Sequence, residues 1–269
     1  MASEFGFIIS GMTWSFSRLE SFYNCKAAWK RKYIDCEKDE NNAFAEYGSL
    51  AHKLLEEWAN GDLSAFDLAD EYDRRFDDAI QEEFPYSRSG DMRESYYWKG
   101  YNYFSEFLGV FDEAVDVQGV EQEVRFEVEG YPFVGYIDLL VRDANGNVIV
   151  IDHKSASLKW LKSGKPAKAS VEKMEGYKRQ LYLYSKALID KGIQPSELCW
   201  NFFNDKKLYR IPFDQNEYKA ALKWAVDTIH LIEREEDWEM HEDFWFCRNI
   251  CGYRNSCAMN ERGGETDGI

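Results

Sequence analysis

The sequence lacks several features that would define whole classes of protein. It has no stretch of about 18 apolar residues, which excludes a helix that crosses a membrane. No basic segment precedes the short apolar stretch FGFII, so we expect no secretory signal. Basic residues are in the minority, with 33 Lys and Arg against 49 Asp and Glu and a formal net charge of −16. This balance disfavours a protein coated in positive charge for nucleic-acid binding, although it permits a local basic groove.

Cysteine is too sparse for a disulfide-stabilised secreted scaffold, with six residues in a chain of 269. We therefore expect a reducing, cytoplasmic location. The sequence also contains no internal repeats and no low-complexity tracts. A hydrophobic content of 45% is typical of a globular chain, and the length is sufficient for one domain with its own core.

The residue pattern changes along the chain from helical to mixed. It predicts a helical region over 12–115, a core of strands and helices over 116–235 and a cysteine-containing tail over 236–269. We interpret residues 1–11 as a possible tag or upstream remnant, with Met12 as an alternative start. The expected fold is a single α/β domain: a mixed sheet flanked by helices, with an N-terminal helical insertion.

Periodicity and cap signals locate the individual elements. Asn-Gly in 143–147 predicts a turn, and the aliphatic run 148–151 is typical of a strand buried on both faces. Predicted helices run from Ser15 or Ser17 to Tyr33, over 47–60, from Ser64 onward, over 94–114, over 171–191 and from the cap Asp214 to Glu235. Predicted strands cover 122–128, 133–141, 148–151 and a hairpin of 198–203 with 208–213.

Two carboxylates and a lysine follow one another closely in the predicted sheet. Asp138 ends the sequence Gly-Tyr-Ile-Asp, and Asp152 and Lys154 follow the aliphatic run. Residues two apart on a strand point to the same face, so Asp152 and Lys154 can act together. Paired carboxylates bind Mg²⁺ or Mn²⁺, and a nearby lysine can position a water molecule and stabilise charge on a phosphate. Each residue alone is also typical of a turn, a cap or a solvated surface, but the combination favours a catalytic site.

Two helical motifs accompany this set. Gly48-x-x-x-His52 lies on the second predicted helix, and Gln180-x-x-x-Tyr184 lies on the helix after the Asp-x-Lys strand. The spacing of four residues places each pair on one helix face. Either motif alone is also typical of an ordinary helix surface.

The order GxxxH, GxxD, DxK and QxxxY resembles the RecB-type branch of the PD-(D/E)XK nuclease superfamily. The opening sequence from Ser15 to Cys25, Ser-Phe-Ser-x-Leu-x-x-Phe-x-x-Cys, is similar to the N-terminal signature of that branch, and the resemblance extends to Cys257. It implies a restriction-endonuclease-like core. Asp152 occupies a position where many relatives carry Glu, which the family pattern allows.

The resemblance also implies roles for individual residues. Asp138, Asp152, the carbonyl of His153 and the additional ligand His52 would bind the metal. Lys154 would position the attacking water, while Gln180 and Tyr184 would steady the lysine and the nucleic-acid strand. Glu121 matches an acidic position that often precedes the core strands, although an exposed glutamate at a strand edge is the alternative interpretation.

Three cysteines crowd near the C-terminus, at Cys247, Cys251 and Cys257. Thiolates at such spacings suit a four-coordinate metal or cluster that takes one further ligand from elsewhere. In the AddB helicase–nuclease subunit and the CRISPR adaptation nucleases, which this chain resembles, one earlier cysteine completes a [4Fe–4S] cluster, and Cys25 lies at the matching place. Zinc and unligated thiols remain alternatives because three residues, rather than the more common two, separate the first pair. Cys36 is the alternative fourth ligand, and Cys199 is interpreted as a buried small hydrophobe.

Charge is distributed unevenly along the chain. Residues 152–179 contain eight basic and three acidic side chains, next to the proposed metal site. Trp160 lies among these lysines and could stack on a base of a single strand, or could be an isolated aromatic of a flexible loop. The segment Lys162-Ser-Gly-Lys165 lacks the residues of a P-loop, so we expect no ATP-driven motor. Residues 56–94 have 13 acidic and four basic side chains, which indicates a solvated helical face or a docking face for a protein partner.

The sequence as a whole favours an Mg²⁺- or Mn²⁺-dependent DNA exonuclease that acts on single strands or DNA ends. Phage recombination, repair and CRISPR adaptation are the expected settings. Two alternatives are a non-catalytic DNA-binding or regulatory module on the same fold and a nuclease subunit of a larger complex.

Overall fold

A five-stranded mixed sheet forms the centre of the computed structural model, which describes residues 5–107, 109–110, 115–241 and 243–257. The strands lie in chain order across the sheet. All neighbours are antiparallel except β3 and β4, which are parallel and are connected through a helix. Their bounds are β1 Asp116–Val128, β2 Tyr131–Arg142, β3 Val148–Lys154, β4 Pro195–Phe202 and β5 Lys207–Pro212. The predicted fold class, a mixed sheet with flanking helices, is confirmed.

The central strand β3 extends three residues beyond the predicted bound at Ile151. The parallel pairing continues through Asp152↔Trp200 and Lys154↔Phe202, so backbone hydrogen bonding to β4 retains these polar residues in the sheet. Both faces of β3 are buried, as the aliphatic run predicts. The extension places the Asp-x-Lys motif on a rigid strand rather than in a loop.

Nine α-helices surround the sheet within the described residues. Helices α2, α7 and α8 pack on one face of the sheet. The end of α4, at Trp58 and Ala59, packs on the other face together with Phe107. Two single turns of 3₁₀ helix lie at Lys168–Ser170 and Phe203–Asp205. The helix bounds are α1 Gly6–Ser10, α2 Phe16–Asn24, α3 Lys26–Tyr33, α4 Ala43–Ala59, α5 Leu68–Ala79, α6 Met92–Ser105, α7 Val171–Ile189, α8 Gln215–Glu233 and α9 Phe244–Asn249.

The first predicted helix is two helices. Ser15 caps α2 as expected, accepting a hydrogen bond from the Arg18 amide at 3.1 Å. Cys25 then adopts an extended conformation and breaks the helix, and its sulfur accepts from the Ala28 amide at 3.4 Å to cap α3. The break directs the Cys25 thiol out of the helical ladder and towards the C-terminal tail.

Three other helix bounds differ from the predicted ones. Helix α4 begins at Ala43 because Asn42 caps it, accepting from the Ala45 amide at 3.0 Å. Helix α5 begins at Leu68 rather than near Ser64. Helix α6 ends at Ser105, and residues 111–114 of the predicted helix lie outside the described residues.

The N-terminal helices have a core of their own. Leu54 of α4, Tyr72 of α5 and Phe104 of α6 are almost fully buried together, and Phe203 joins them from the end of β4. This second core supports α4, the helix that carries His52. None of the helices in the described part of the chain is long and apolar enough to cross a membrane.

Gly100 permits the close packing of α6 on α5. A Cβ atom at this position would overlap the Tyr72 side chain. We expect Gly100→Ala to destabilise the protein by about 1–3 kcal/mol, although alanine favours an isolated helix by about 1 kcal/mol. The urea midpoint measures the effect, and Ser95→Ala, at an exposed position of the same helix, is the control. A midpoint for Gly100→Ala at or above that of the wild type would contradict this packing.

Candidate metal and nucleic-acid site

The predicted site residues meet where α4 and α7 approach the central strands. Asp138 lies in β2, Asp152 and Lys154 lie at the end of β3, His52 lies on α4, and Gln180 lies on α7. The structure therefore brings together residues that are more than 100 positions apart in the sequence. Gly48 permits the approach of α4, because a Cβ there would lie 3.3 Å from Ser155 Oγ, directly after Lys154.

Asp138 is a buried carboxylate in an electrostatically unfavourable position. Its Oδ2 accepts a hydrogen bond from the His153 amide at 2.7 Å, and its side chain is 11% exposed. Burial and the neighbouring Asp152 raise the pKa of Asp138 to about 7, against the opposing influence of His52 and Lys154. A divalent cation at this position would let both carboxylates be ionised at lower cost.

His52 lies between the carboxylates and the backbone of β3. Its Nε2 donates to the His153 carbonyl at 3.0 Å, and its Nδ1 lies 3.6 Å from Asp138 Oδ2. Burial acts to lower the pKa of His52, but Glu121, Asp138 and Asp152 outweigh it and raise that pKa overall. In the metal-free site, the acidic neighbours therefore favour the charged form of this histidine.

Glu121 belongs to this group, although an exposed strand-edge glutamate is the interpretation that the sequence alone slightly favours. Its Oε1 lies 3.7 Å from His52 Nδ1, and ligand atoms of His52, Glu121 and Asp138 all lie within 4.8 Å of one another. The Glu121 backbone has a φ of 45°, between the paired residues Val120 and Gln122 of β1. Such a conformation costs about 1–3 kcal/mol in a non-glycine residue and is found most often at functional sites.

Lys154 is held by three neighbours. Its Nζ lies 2.7 Å from Asp152 Oδ2, donates to Gln180 Oε1 at 2.8 Å and lies 4.7 Å from the centre of the Tyr177 ring. The side chain of Asp152 is only 4% exposed, and its Oδ2 accepts no hydrogen bond of good geometry within the described residues. A buried carboxylate oxygen with spare acceptor capacity fits a metal ligand.

Tyr184 contacts both Gln180 and the backbone of β2. Its ring packs on the backbone of Gly135, where a Cβ would overlap it, and its hydroxyl interacts with Gln180 and the Phe16 backbone. Burial raises the pKa of the Tyr184 hydroxyl, so it stays protonated. The glycine of the GxxD motif therefore makes room for the tyrosine of the QxxxY motif.

The ring of His153 makes an edge-to-face contact with the ring of His52, at a centroid distance of 5.8 Å. It is buried, its Nδ1 lies 3.1 Å from Asn201 Nδ2, and burial together with His52 and Lys154 lowers its pKa well below the usual value. The backbone of His153 contacts the site residues: its amide donates to Asp138 Oδ2, and its carbonyl accepts from His52 Nε2. Within the described residues, the ligand atoms that lie within 4.8 Å of one another are those of His52, Glu121 and Asp138, without Asp152, and this set could hold Mg²⁺ or Mn²⁺.

Four of the six cysteines line one small cavity of about 120 Å³, between α3 and the C-terminal tail. Two amides donate to Cys25 Sγ, those of Ala28 and His241, each at 3.4 Å. Cys36 is exposed and lies outside this cavity, and Cys199 is buried in β4 as predicted. The four are Cys25, Cys247, Cys251 and Cys257.

Trp160 is not part of a flexible loop. Its Nε1 donates to Asp205 Oδ2 at 2.8 Å, and its ring packs against Phe202 and Tyr209 at centroid distances of 5.2 and 5.6 Å. The contact with Asp205, 45 residues away, fixes the ring against the core. The flexible-loop interpretation is therefore wrong, and stacking of a base on this half-buried ring stays a prediction.

Comparisons with known proteins agree with the geometry. Residues 13–258 match the PD-(D/E)XK nuclease superfamily. A crystal structure of a protein from Eubacterium rectale, named "putative exonuclease", is similar with a TM-score of 0.51 and 13% identity over 96% of this chain and 94% of that chain. At that identity the likeness shows a shared fold. A second structure, of the protein SSO0001, aligns with a TM-score of 0.28 and 20% identity over 53% of this chain and 60% of that chain. A comparison with curated proteins gives no match.

The raised pKa of Asp138 predicts that the stability of the folded protein depends on pH in opposite ways with and without metal. In chelator, the folded protein penalises the ionised carboxylate, so stability is lost as pH rises towards and through about 7. Asp138→Asn keeps an acceptor for the His153 amide and removes the charge. We expect it to stabilise the metal-free protein at pH 8 by on the order of 2 kcal/mol, and little at pH 5.

Mn²⁺ should reverse this dependence of stability on pH. It should raise the thermal midpoint of the wild type more at pH 8 than at pH 5, because protons compete with the ion for the site. Asp62→Asn, at an exposed carboxylate, should behave as the wild type does. A difference between Asp138→Asn and wild type that is independent of both pH and Mn²⁺ would show that Asp138 is not the titrating ligand.

Proposed function

Because the chain belongs to the PD-(D/E)XK nuclease superfamily, we propose that it is a divalent-metal-dependent deoxyribonuclease, an exonuclease on single-stranded DNA or DNA ends. The observation that carries this proposal is the convergence of Asp138, Asp152, Lys154 and Gln180 on one buried, charged position. A non-catalytic module would gain nothing from burying two carboxylates beside each other, since the arrangement costs stability without a cation.

Each residue would have a defined part in phosphodiester hydrolysis. Asp138, Asp152 and the carbonyl of His153 would hold Mg²⁺ or Mn²⁺, with His52 and Glu121 at its margin. The bound ion would lower the pKa of water and neutralise charge on the phosphate. Lys154 is positioned to orient the water and to face the developing negative charge, and Gln180 fixes the ammonium group by its 2.8 Å hydrogen bond.

The cysteine cavity supports assignment to the RecB-type branch with a [4Fe–4S] cluster held by Cys25, Cys247, Cys251 and Cys257. All four cysteines line the same cavity, as the ligands of one group would. Zinc bound to the same thiols is the alternative. Amides that donate to Cys25 and Cys251 are the kind of hydrogen bond that tunes a cluster.

The cluster would join the two ends of a single nuclease domain, in which 12–115 is the helical region, 116–235 the core and 236–269 the tail. Polar contacts already connect these ends: Arg31 donates to Ser256 Oγ at 2.7 Å, and the Tyr253 hydroxyl donates to the Glu37 carbonyl at 2.9 Å. Residues 242 and 258–269 of the tail lie outside the described residues. The proposed setting is processing of DNA ends in phage recombination, repair or CRISPR adaptation.

Residues 56–94 are the proposed face for a protein partner, but several of their acids are already paired within the chain. Glu57 and Glu71 bind Arg75, Asp77 binds Arg93, and Glu82 lies 3.2 Å from an arginine of the tail. These pairs favour the solvated helical face over the docking face.

Substitution of the site residues tests the nuclease proposal. We expect Asp138→Ala and Lys154→Ala each to reduce Mn²⁺-dependent cleavage of end-labelled single-stranded DNA by on the order of 100-fold or more, because each removes charge stabilisation at the reacting phosphate. Gln180→Ala should cost about tenfold, since it loosens the lysine without removing it. Glu127→Ala, at an exposed position of β1, is the control. Cleavage by Lys154→Ala at the wild-type rate would refute the proposal.

A cysteine series tests the cluster separately. Anaerobically purified wild type should contain about four iron atoms per chain and absorb broadly at about 400 nm. Cys247→Ser should lose both signals, whereas Cys36→Ser should keep them because that thiol lies outside the cavity. Stoichiometric zinc without iron in the wild type, or loss of iron in Cys36→Ser, would contradict the assignment.

A further inference from the structure

Residues 159–167, which follow β3, form a short closed hairpin. Trp160 and Pro166 pair as an antiparallel bridge, and the Leu161 amide donates to the Lys165 carbonyl at 2.8 Å. The Gly164 amide closes the tip by donating to the Leu161 carbonyl at 2.9 Å, with Gly164 at a φ of 82°. We refer to residues 159–167 as the lysine hairpin.

The lysine hairpin is fixed to the core at β4, β5 and the turn between them, next to the strand that carries Lys154. Asp205 Oδ2 accepts from the Leu158 amide at 2.9 Å and from Trp160 Nε1 at 2.8 Å. The Trp160 ring contacts Phe202, which is paired with Lys154 in the sheet. The tip of the hairpin is therefore held at a defined place relative to the lysine of the site.

The charges of the hairpin are unusual for so acidic a chain. Lys159, Lys162 and Lys165 of the hairpin and Lys168 immediately after it are all exposed. Within the described residues none of the four forms an ion pair, although lysines elsewhere, such as Lys26 and Lys223, pair with carboxylates. Four exposed ammonium groups without carboxylate partners form a surface suited to phosphates.

An apolar side chain lies among these lysines at the tip. Leu161 is 52% exposed and precedes Lys162 directly. Proteins that open or kink a duplex insert apolar side chains such as leucine between or against base pairs, while lysines hold the backbone. A platform for single strands would instead present a free aromatic ring, and Trp160 is packed into the core.

We propose that the lysine hairpin binds duplex DNA where its strands separate, with its lysines on the phosphates and Leu161 against the last base pair. One strand would then continue past the hairpin to Lys154. This inference rests on the proposed nuclease function and deepens it, because it assigns to the protein a substrate with a double-stranded end.

The first test compares two substrates for one variant. We expect Leu161→Ser to cleave an end-labelled single-stranded oligonucleotide within about twofold of wild type, and a blunt duplex at least about fivefold more slowly, since the apolar contact that separates the terminal pair is lost. Leu231→Ser, at a leucine of matched exposure (51%) on α8, should leave both rates unchanged. Equal rates for wild type and Leu161→Ser on the duplex, or an equal loss on both substrates, would overturn the role of Leu161.

The second test does not require cleavage. Fluorescence anisotropy in chelator measures binding of a fluorescent duplex with a single-stranded extension at several salt concentrations. Lys162→Gln/Lys165→Gln should reduce the slope of log affinity against log salt by about 1.8, because about two phosphate contacts are removed. Lys191→Gln/Lys219→Gln, at two exposed lysines elsewhere, is the matched control.

An unchanged slope for Lys162→Gln/Lys165→Gln would overturn the hairpin as a DNA contact. If the double variant shows the predicted reduction in slope but the wild type cleaves neither substrate with any metal, the nuclease proposal fails while the proposed binding surface stands. The two proposals can therefore fail independently.

Discussion

The structure around the site depends on the burial of two carboxylates side by side. Asp138 and Asp152 cannot both be ionised at low cost in this position, as the raised pKa of Asp138 shows. Their neighbours are arranged to supply positive charge or donors: His52, Lys154 and the His153 amide. The residue with positive φ, Glu121, brings a further carboxylate to the same place. A divalent cation would balance this accumulation of negative charge, which is costly without one.

The fold is what makes that juxtaposition possible. The parallel pairing of β3 with β4 holds Asp152 and Lys154 in an extended strand, and the connecting helix α7 returns across the sheet to bring Gln180 to Lys154. The separate core of α4, α5 and α6 holds His52 from the other side. The proposed cluster would fix α3 to the tail through Cys25, at the junction of α2 and α3. Helix α2 itself packs against α7.

Much of this could be predicted from the sequence because the information is local. An aliphatic run followed by Asp-x-Lys indicates a buried strand with polar residues at its end. The remaining site residues are predicted from the order of the motifs, which resembles that of a known nuclease family. Glu121 could not be ranked with them, because its orientation depends on a positive φ that period-two alternation does not predict. Trp160 was misinterpreted for a related reason: its partner Asp205 is distant in sequence. The helix break at Cys25 depends on a sulfur-capping interaction that cap preferences do not include.

Diffraction from crystals grown with Mn²⁺ would show whether the buried carboxylate pair binds a metal. We predict an anomalous peak bounded by Asp138, Asp152 and the His153 carbonyl, with ligand distances of about 2.0–2.3 Å, and loss of that peak in Asp138→Asn. No peak at this position at saturating Mn²⁺, or an equal peak in Asp138→Asn, would show that the buried carboxylate pair is not a metal site.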